Sequence, residues 1–392
     1  MNLEDVPIGV SMPADFMEAL ASRVMERLPL PKELKGAISQ DDVATVKAII
    51  AQWPKGWEVV AHQNPTPSQW KTVSVLMYAI LAGDDSESVA HYLMRTFPAL
   101  VALHFSIMDG WESYKIPEGL LGTALHVAVS LKRISLVRAL ASFVGEVVGF
   151  SLTVDAHYGN SYAWTDDGVR QSYKASPARL ALMGDDLDPL KVLLRAGAVL
   201  KKEIYHAPGG CIRTECLVDE CAQAGALQCF EHLWSNYTPF QLGCSEGTVI
   251  AALSNEKSRK RLLGRLLRRC PELVGNSALV RSLRISDPAI VRLLLTVAPE
   301  SHDINAEDAP ERMTPLVALA YPHHDFGDAP QALEIAQVFL DFGANPNLPR
   351  AATGKSAIEY AREGEYTGLA DFLDQAAAAK AQQPAQKRRR RG

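Results

Sequence analysis

The stretch GTALHVAVSLKRISLVRAL, residues 122–140, holds two short apolar segments with a polar break between them. Thr123 stands directly before the first segment, where its hydroxyl can accept a hydrogen bond from a free backbone N–H at a helix start. Leu125, Ala128 and Val129 then form an apolar stripe at helical spacing. A second apolar segment follows after the break. The stretch therefore predicts two consecutive short helices.

The same layout recurs along the chain. Clear copies lie in 175–198 and 313–373, and weaker copies fill most of the remaining sequence. Unit starts fall near residues 36, 74, 123, 176, 214, 248, 277, 314 and 356. One helix pair cannot bury its apolar face, whereas stacked pairs share a continuous core. We therefore expect an all-α solenoid of stacked helix-turn-helix units with loop insertions.

The units resemble ankyrin repeats, whose 33-residue unit carries the pattern T-P-L-H-x-A. The matching residues are Thr123, Ala124, Leu125, His126 and Ala128 in one unit and Thr314, Pro315, Leu316 and Ala318 in another. The segment DFGANPN, 341–347, is similar to the family's closing Gly-Ala-Asp-x-Asn. The resemblance covers about residues 34–374, and it implies an ankyrin-repeat solenoid that recognises a protein partner.

Three regions follow from this reading. Residues 1–33 form an N-terminal region whose amphipathic helix at 13–30 caps the stack. Residues 34–374 form the ankyrin-repeat domain of about nine degenerate repeats, with insertions near 52–72, 97–121 and 145–175. Residues 375–392 form a disordered basic tail. Its basic residues are Lys387, Arg388, Arg389, Arg390 and Arg391.

The inserted loop segments 106–119, 155–168 and 321–330 supply the candidate binding residues. They are rich in tyrosine and tryptophan, the residue types that dominate protein interfaces, and repeat insertions often lie on the binding face. We expect the partner to contact Trp111, Tyr114, Tyr158, Tyr162, Trp164 and Tyr321. The competing interpretation is that these rings fold back over their own loops.

Composition and cysteine content indicate the cellular compartment in which the chain is expected. The chain is 47% hydrophobic and 22% charged with a formal charge of −5, as in ordinary soluble proteins. Six cysteines lie between 211 and 270, and in a long chain they indicate reduced thiols in a cytosol-like compartment. The sequence shows neither a signal peptide nor an apolar run long enough to span a membrane. We expect a monomer in the cytoplasm, or in the nucleus if the basic tail directs import.

Two motifs suggest chemistry, and in both a structural interpretation is favoured. The segment GCSEG, 243–247, fits G-x-S-x-G, which needs a strand before the serine; we expect a loop that starts a helix instead. The segment PRAATGKS, 349–356, lacks the first glycine of a phosphate-binding loop. His126 is expected to make a local structural hydrogen bond. We therefore expect no catalytic residue, metal or cofactor.

A metal site is the weaker interpretation of the cysteines. Cys211, Cys216, Cys221 and Cys229 have spacings longer than zinc sites usually show, although His206 and His232 lie near them in the sequence. Cys216 and Cys221 fall in a segment that reads as helical. Buried thiols, which behave as small apolar side chains, are the favoured interpretation.

The sequence thus favours a non-enzymatic protein-interaction module that uses a concave face and loop insertions, in the role of a regulatory adaptor or a host-directed effector. One alternative is an enzyme whose site lies in the 145–175 insertion, where Asp155, His157 and Asp166 belong to no known motif. The other is a nucleic-acid binder that uses 257–269 and the tail. That segment has seven basic residues, and four leucines form its apolar face.

Overall fold

The structure is a computed structural model. It describes residues 30–53, 70–83, 86–102, 123–146, 161–164, 170–173, 176–206, 211–298, 303–307, 312–321 and 329–389, together with Ser22 and Met25. The chain divides into two compact units, Met1–Tyr237 and Thr238–Gly392. The predicted capping helix at 13–30 lies almost entirely outside the described residues.

The described part of the first unit contains five helix pairs. They are α1 (Lys32–Ser39) with α2 (Val43–Ala51), α3 (Trp70–Ala82) with α4 (Glu87–Thr96), after the short α5 (Ala99–Ala102) α6 (Ala124–Ser130) with α7 (Ile134–Glu146), α8 (Pro177–Met183) with α9 (Leu187–Arg195), and α10 (Leu217–Ala224) with α11 (Leu227–Asn236). Each first helix contacts the first helix of the next pair, and each second helix contacts the next second helix. This unit is therefore a stack in which each helix pair packs against the next.

Within the residues described for the second unit there are four helix pairs. After the short α12 (Pro239–Leu242), they are α13 (Glu246–Ser254) with α14 (Arg259–Arg269), α15 (Asn276–Leu283) with α16 (Pro288–Val297), α17 (Pro315–Ala320) with α18 (Pro330–Asp341), and α19 (Ala357–Glu363) with α20 (Thr367–Arg389). The first helices again contact one another in order along this unit. Both units thus have the predicted solenoid fold of stacked helix-turn-helix units.

Among the described residues, two β-hairpins are inserted between helix pairs of the solenoid. Strands β1 (Ser161–Trp164) and β2 (Arg170–Tyr173) pair antiparallel. Strands β3 (Lys201–His206) and β4 (Cys211–Cys216) do the same, so Cys216 ends a strand rather than lying in a helix. The sequence Pro208-Gly209-Gly210 separates β3 from β4. Turn-forming residues between segments containing β-branched residues favour such a hairpin.

The helix starts are built as the sequence predicts. Thr123 is the N-cap of α6, and a capping box joins it to His126. The Nδ1 of His126 accepts from the backbone N–H of Thr123 at 3.1 Å and lies 2.8 Å from its hydroxyl oxygen. His126 is fully buried, so its ring serves the helix start, as predicted. Ser176, Thr314 and Ser356 cap α8, α17 and α19 through their hydroxyl oxygens.

Left-handed residues close the turns inside and between pairs. Gly197 and Gly343 follow the second helices α9 and α18 with φ of 99° and 96°, as the sequence predicts for helix ends. Inside the pairs the same conformation is adopted by non-glycine residues, among them Asp41 and Asp185 at φ of 52° and 50°. Aspartate tolerates this region better than most residues.

Those two aspartates also join neighbouring pairs. The carboxylate of Asp41 accepts hydrogen bonds from the backbone N–H groups of Ser88 and Val89, at 3.2 and 2.8 Å, at the start of α4. A helix start has free N–H groups and favours negative charge. Each carboxylate therefore caps the second helix of the following pair, and Asp185 does so for α11.

Other polar contacts lie at the remaining joints of the first unit. The Arg133 guanidinium lies against Gly83, where a Cβ built on the glycine would be 2.9 Å from its Cζ. The Lys132 ammonium lies 2.5 Å from the Asp186 carboxylate. Burial raises the pKa of Asp186 in spite of that ammonium. The stack is therefore held by polar links at the turns as well as by its apolar core.

The C-terminal segment differs from the sequence prediction. A disordered tail is expected from residue 375, whereas α20 continues to Arg389. Four consecutive alanines, 376–379, follow Gln375, and alanine has the highest helix propensity. The helix therefore extends beyond the last pair into the basic segment.

The described cysteine side chains are thiols, and most of them are buried. Burial raises the pKa of Cys216 to about 11 and raises that of Cys221 well above its usual value. Burial also raises the pKa of Cys229, with a further contribution from Asp185. These groups therefore remain protonated at neutral pH and unreactive while the protein is folded.

Thiol reactivity tests this burial. We expect iodoacetamide at pH 8 to alkylate the half-exposed Cys244 about tenfold or more faster than Cys221 or Cys229, because buried thiols react only after local opening. Peptide mass spectrometry over time measures each rate, and the same reaction in concentrated urea is the control. Equal rates for the three cysteines in the folded protein would contradict the packing of α10 and α11.

Candidate partner-binding surfaces

The six predicted contact residues are unequally placed in the structure. Trp111, Tyr114 and Tyr158 lie outside the described residues, as do Asp155, His157 and Asp166. Tyr162 and Trp164 lie in β1, where only the backbone is described. Tyr321 is the predicted contact residue whose side chain the structure describes, at the C-terminal end of α17. Among the side chains that the structure describes, no two of the predicted contact residues therefore lie together.

Tyr321 instead meets residues from the next repeat. Its ring centroid lies 5.2 Å from that of Tyr360 in α19, with the ring planes tilted by 58°. The Cζ of Arg350 lies 5.7 Å from the Tyr321 ring centroid, within the range of a cation–π interaction. We call Tyr321, Arg350, Thr353, Lys355 and Tyr360 the Tyr321 surface.

A tight loop holds this surface in place. The backbone N–H of Arg350 donates to the carbonyl of Lys355, and the N–H of Gly354 donates to the carbonyl of Arg350, both at 2.8 Å. Gly354 has φ of 70°, a conformation that suits glycine. The hydroxyl groups of Thr353 and Tyr360 lie 2.6 Å apart. The loop is thus fixed at both ends before any partner arrives.

The surface is cationic at neutral pH. The hydrogen bond that the Arg350 guanidinium donates to the Tyr360 hydroxyl oxygen raises the pKa of Arg350. Glu363 raises the pKa of Lys355, whose ammonium lies 2.7 Å from the Glu363 carboxylate. Both groups therefore stay charged, with Arg350 and Tyr321 half-buried and Tyr360 buried.

The loop at 349–356 does not cradle a phosphate. Ser356 caps α19, and its backbone N–H donates to the Glu359 carboxylate at 2.7 Å. A carboxylate therefore occupies the helix start where a phosphate would have to lie.

Ser245 also has a structural role. It is the N-cap of α13, and its hydroxyl accepts from the backbone N–H of Gly247 at 3.2 Å. The Thr248 hydroxyl in turn accepts from the N–H of Ser245 at 3.1 Å. The prediction that GCSEG starts a helix is confirmed.

His232 lies in a groove formed by the second helices α9 and α11. The groove has a volume of about 230 Å³ and is lined by Lys191, Leu194, Arg195, His232 and Tyr237. Burial, Lys191 and Arg195 together lower the pKa of His232. Two cations beside the imidazole disfavour a bound metal cation. Among the described residues, no three histidine, cysteine or carboxylate side chains are grouped as metal ligands.

The sequence interpretation missed Phe240. This ring is 84% exposed on α12, a one-turn helix that begins with a capping box of Thr238 and Gln241 and ends at Gly243, φ 69°. Thr238-Pro239 and Gly243 were the available signals for such a helix. Single exposed apolar residues are common on protein surfaces, so Phe240 ranks below the Tyr321 surface as a contact.

The predicted apolar face of the basic segment is confirmed. Leu262, Leu263, Leu266 and Leu267 are buried on one side of α14. The opposite side is exposed and carries Lys260, Arg261, Arg265, Arg268 and Arg269. We call these five residues, with Gly264, the basic surface. Its charges come from consecutive turns of one helix.

Comparisons with known proteins were made for sequence and for structure. No family model matches the sequence, and no curated protein matches it. Among solved structures, the ankyrin repeat domain of Bcl-3, a member of the IkappaB protein family, is 18% identical, with 64% of this chain and 97% of that chain covered and a TM-score of 0.42. An ankyrin repeat domain from Acinetobacter baumannii AYE is 17% identical, with 51% and 97% covered and a TM-score of 0.39. The human ASB11 ankyrin repeat domain is 16% identical, with 88% and 98% covered and a TM-score of 0.30.

The class of protein follows from the chain's own helix packing. The described helix pairs form a helical-repeat solenoid, and its helix-turn-helix units resemble ankyrin repeats. The solved structures above are too distant to carry information on its partner or activity. None of the described helices is long and apolar enough to cross a bilayer.

Proposed function

We propose that the chain is a non-enzymatic module that binds a protein partner through the Tyr321 surface. Repeat solenoids are in general interaction modules that present extended surfaces to their partners. The predicted role of the loop insertions belongs to this proposal, and the insertion that starts at Tyr321 leads directly from the surface.

One observation carries the proposal: a tyrosine and an arginine are held against each other by a rigid loop. Tyrosine and arginine are the residue types most enriched at interface positions that dominate affinity. The loop hydrogen bonds around Arg350 and Gly354 fix these side chains in advance, which reduces the entropy lost on binding. Such a surface suits recognition of a folded protein or an extended segment.

Affinity capture with matched variants tests this function. We expect the double variant Tyr321→Ala, Arg350→Ala to lose about tenfold or more of a specific captured protein, because hot-spot truncations commonly cost 2 kcal/mol or more. Quantitative mass spectrometry compares it with the wild-type chain, after circular dichroism has shown that the variant is folded.

The control is Gln375→Ala, an exposed residue of α20 outside the surface. It should retain the captured protein at the wild-type level. An identical set of captured proteins for the wild type and the double variant would overturn the proposal. The identity of the retained protein would also decide between a regulatory adaptor and a host-directed effector, and would show the compartment in which the chain acts.

A further inference from the structure

The basic surface has a stripe with an unusual centre. Lys260, Gly264 and Arg268 are four residues apart, so they lie along one face of α14. Lys260 and Arg268 are exposed, and Gly264 lies between them. The stripe therefore has a residue without a side chain between two cations.

The helix does not need glycine at position 264. A Cβ built there would meet only the Nη2 of Arg268, at 3.8 Å, which is ordinary van der Waals contact. The position lies inside a regular helix, where glycine destabilises relative to alanine. Neither packing nor backbone conformation therefore accounts for Gly264, whereas close approach of a bound group to the backbone would.

We propose that the basic surface binds an acidic segment of a protein partner, with one carboxylate over Gly264 between Lys260 and Arg268. The proposal rests on the protein-binding function above and adds a second, separate contact of defined chemistry. Arginine guanidinium groups match carboxylates in geometry as well as in charge. Arg261 and Arg265 flank the stripe on the same exposed side of α14.

The spacing indicates the form of the segment. Residues four apart on a helix are separated by about 6 Å along its axis. Alternate residues of an extended chain are separated by about 6.6 Å. An extended segment with acidic residues at every second position therefore places three successive carboxylates near Lys260, over Gly264 and near Arg268 in turn.

A protein segment fits this surface better than nucleic acid does. Residues 257–269 contain no aromatic side chain, and proteins that bind single strands use aromatic rings for base stacking. A short acidic peptide needs only the local field, because charges beyond about 8 Å are screened at physiological salt.

Fluorescence anisotropy with the full chain tests the proposal. The probes are a labelled peptide of alternating glutamate and alanine, the same peptide with glutamine for glutamate, and a single-stranded oligonucleotide of equal charge. We expect the glutamate peptide to bind in a salt-dependent way and the glutamine peptide to bind about tenfold or more weakly.

Two sets of variants locate the binding. Lys260→Glu with Arg268→Glu should lower the affinity for the glutamate peptide by about tenfold or more, since it places like charges against the carboxylates. Arg281→Glu with Arg284→Glu makes the same change in net charge at exposed arginines outside the stripe. This control should change the affinity by less than about threefold, because distant exposed charges are screened.

Gly264→Ala separates binding from folding. The alanine should raise the stability of α14. It should nevertheless lower the affinity for the glutamate peptide by about threefold, because its methyl group blocks close approach to the backbone. A merely structural glycine would give no loss of binding. Circular dichroism shows that each variant is folded.

Three results would overturn the proposal. They are equal binding of the glutamate and glutamine peptides, equal losses in the stripe and control variants, and tighter binding of the oligonucleotide than of the glutamate peptide. The variant Arg350→Ala should keep full affinity for the peptide. Failure at the basic surface is thus distinguishable from failure of the Tyr321 surface, which the affinity capture measures.

Discussion

Replacing Phe230 with alanine is expected to destabilise the first unit by about 3–5 kcal/mol. Phe230 lies in α11 with none of its surface exposed, and its ring is stacked on that of Trp234 with 5.4 Å between centroids. The substitution removes the apolar contacts of a large ring and leaves a cavity that neighbouring pairs can fill only in part. In a stack, each pair is stabilised by its neighbours, so the loss spreads beyond α10 and α11.

Urea denaturation followed by circular dichroism measures the change, and hydrogen exchange locates it. The matched control is Phe240→Ala, which removes the same ring from a position that is 84% exposed. That control should change the free energy of unfolding by less than about 0.5 kcal/mol, as is usual on surfaces. A small loss at Phe230, comparable to that at Phe240, would mean that α11 is not packed as described.

Replacing Asp185 with alanine is expected to destabilise the first unit by about 2–3 kcal/mol. The substitution removes both hydrogen bonds that the carboxylate accepts, from Gln228 at 3.2 Å and from Cys229 at 2.9 Å. Hydrogen bonds to charged groups contribute about 1.5–3 kcal/mol. Alanine is also strained at the φ of 50° that Asp185 adopts, at a cost of about 1–2 kcal/mol.

Two further variants separate the parts of this effect. Asp185→Gly relieves the backbone strain and loses only the cap, whereas Asp185→Asn retains an acceptor and tolerates the left-handed conformation. We expect the order of stability, from urea denaturation, to be wild type, asparagine, glycine, alanine. If alanine were as stable as the wild type, the aspartate would not link the two pairs. Asp41 occupies the same position in the first pair, and its variants repeat the test.

The helix pairs were predictable because their signals are local. The capping residue Thr123 and the stripe of Leu125, Ala128 and Val129 lie within seven residues, and the buried leucines of α14 follow from helical spacing alone. Gly197 and Gly343 likewise predict helix ends from the local sequence alone. Local signals of this kind fix the class of fold even where the repeats are degenerate.

The links between pairs were not predictable. Asp185 and Cys229 are 44 residues apart, and no local pattern shows that a turn carboxylate reaches the next helix start. The hairpin at 201–216 was not predicted. Its signal is the turn-forming sequence Pro208-Gly209-Gly210, and the segments on either side of it lack the alternation of apolar and polar residues that is typical of strands. Both the Asp185 cap and the β3–β4 hairpin depend on contacts between elements, which local sequence patterns do not show.

The candidate site was predictable only in part. Tyr321 was found from the aromatic content of its loop, but its partners Arg350 and Tyr360 belong to the following repeat. The surroundings of Gly264, where an added Cβ would meet only the Arg268 side chain, depend on the packing of α14. Composition shows only that the segment is basic. Residue types can therefore suggest a binding surface, whereas the packing determines which residues form it.

Site-specific photo-crosslinking inside living cells tests most directly whether the Tyr321 surface meets a protein. A photoreactive phenylalanine analogue at position 352, an exposed alanine of the loop beside Thr353, is compared with the same analogue at the exposed position 375 of α20. We predict a discrete crosslinked protein from position 352 that is absent from position 375. Equal, diffuse crosslinking from the two positions would contradict the assignment of this surface as the partner-binding site.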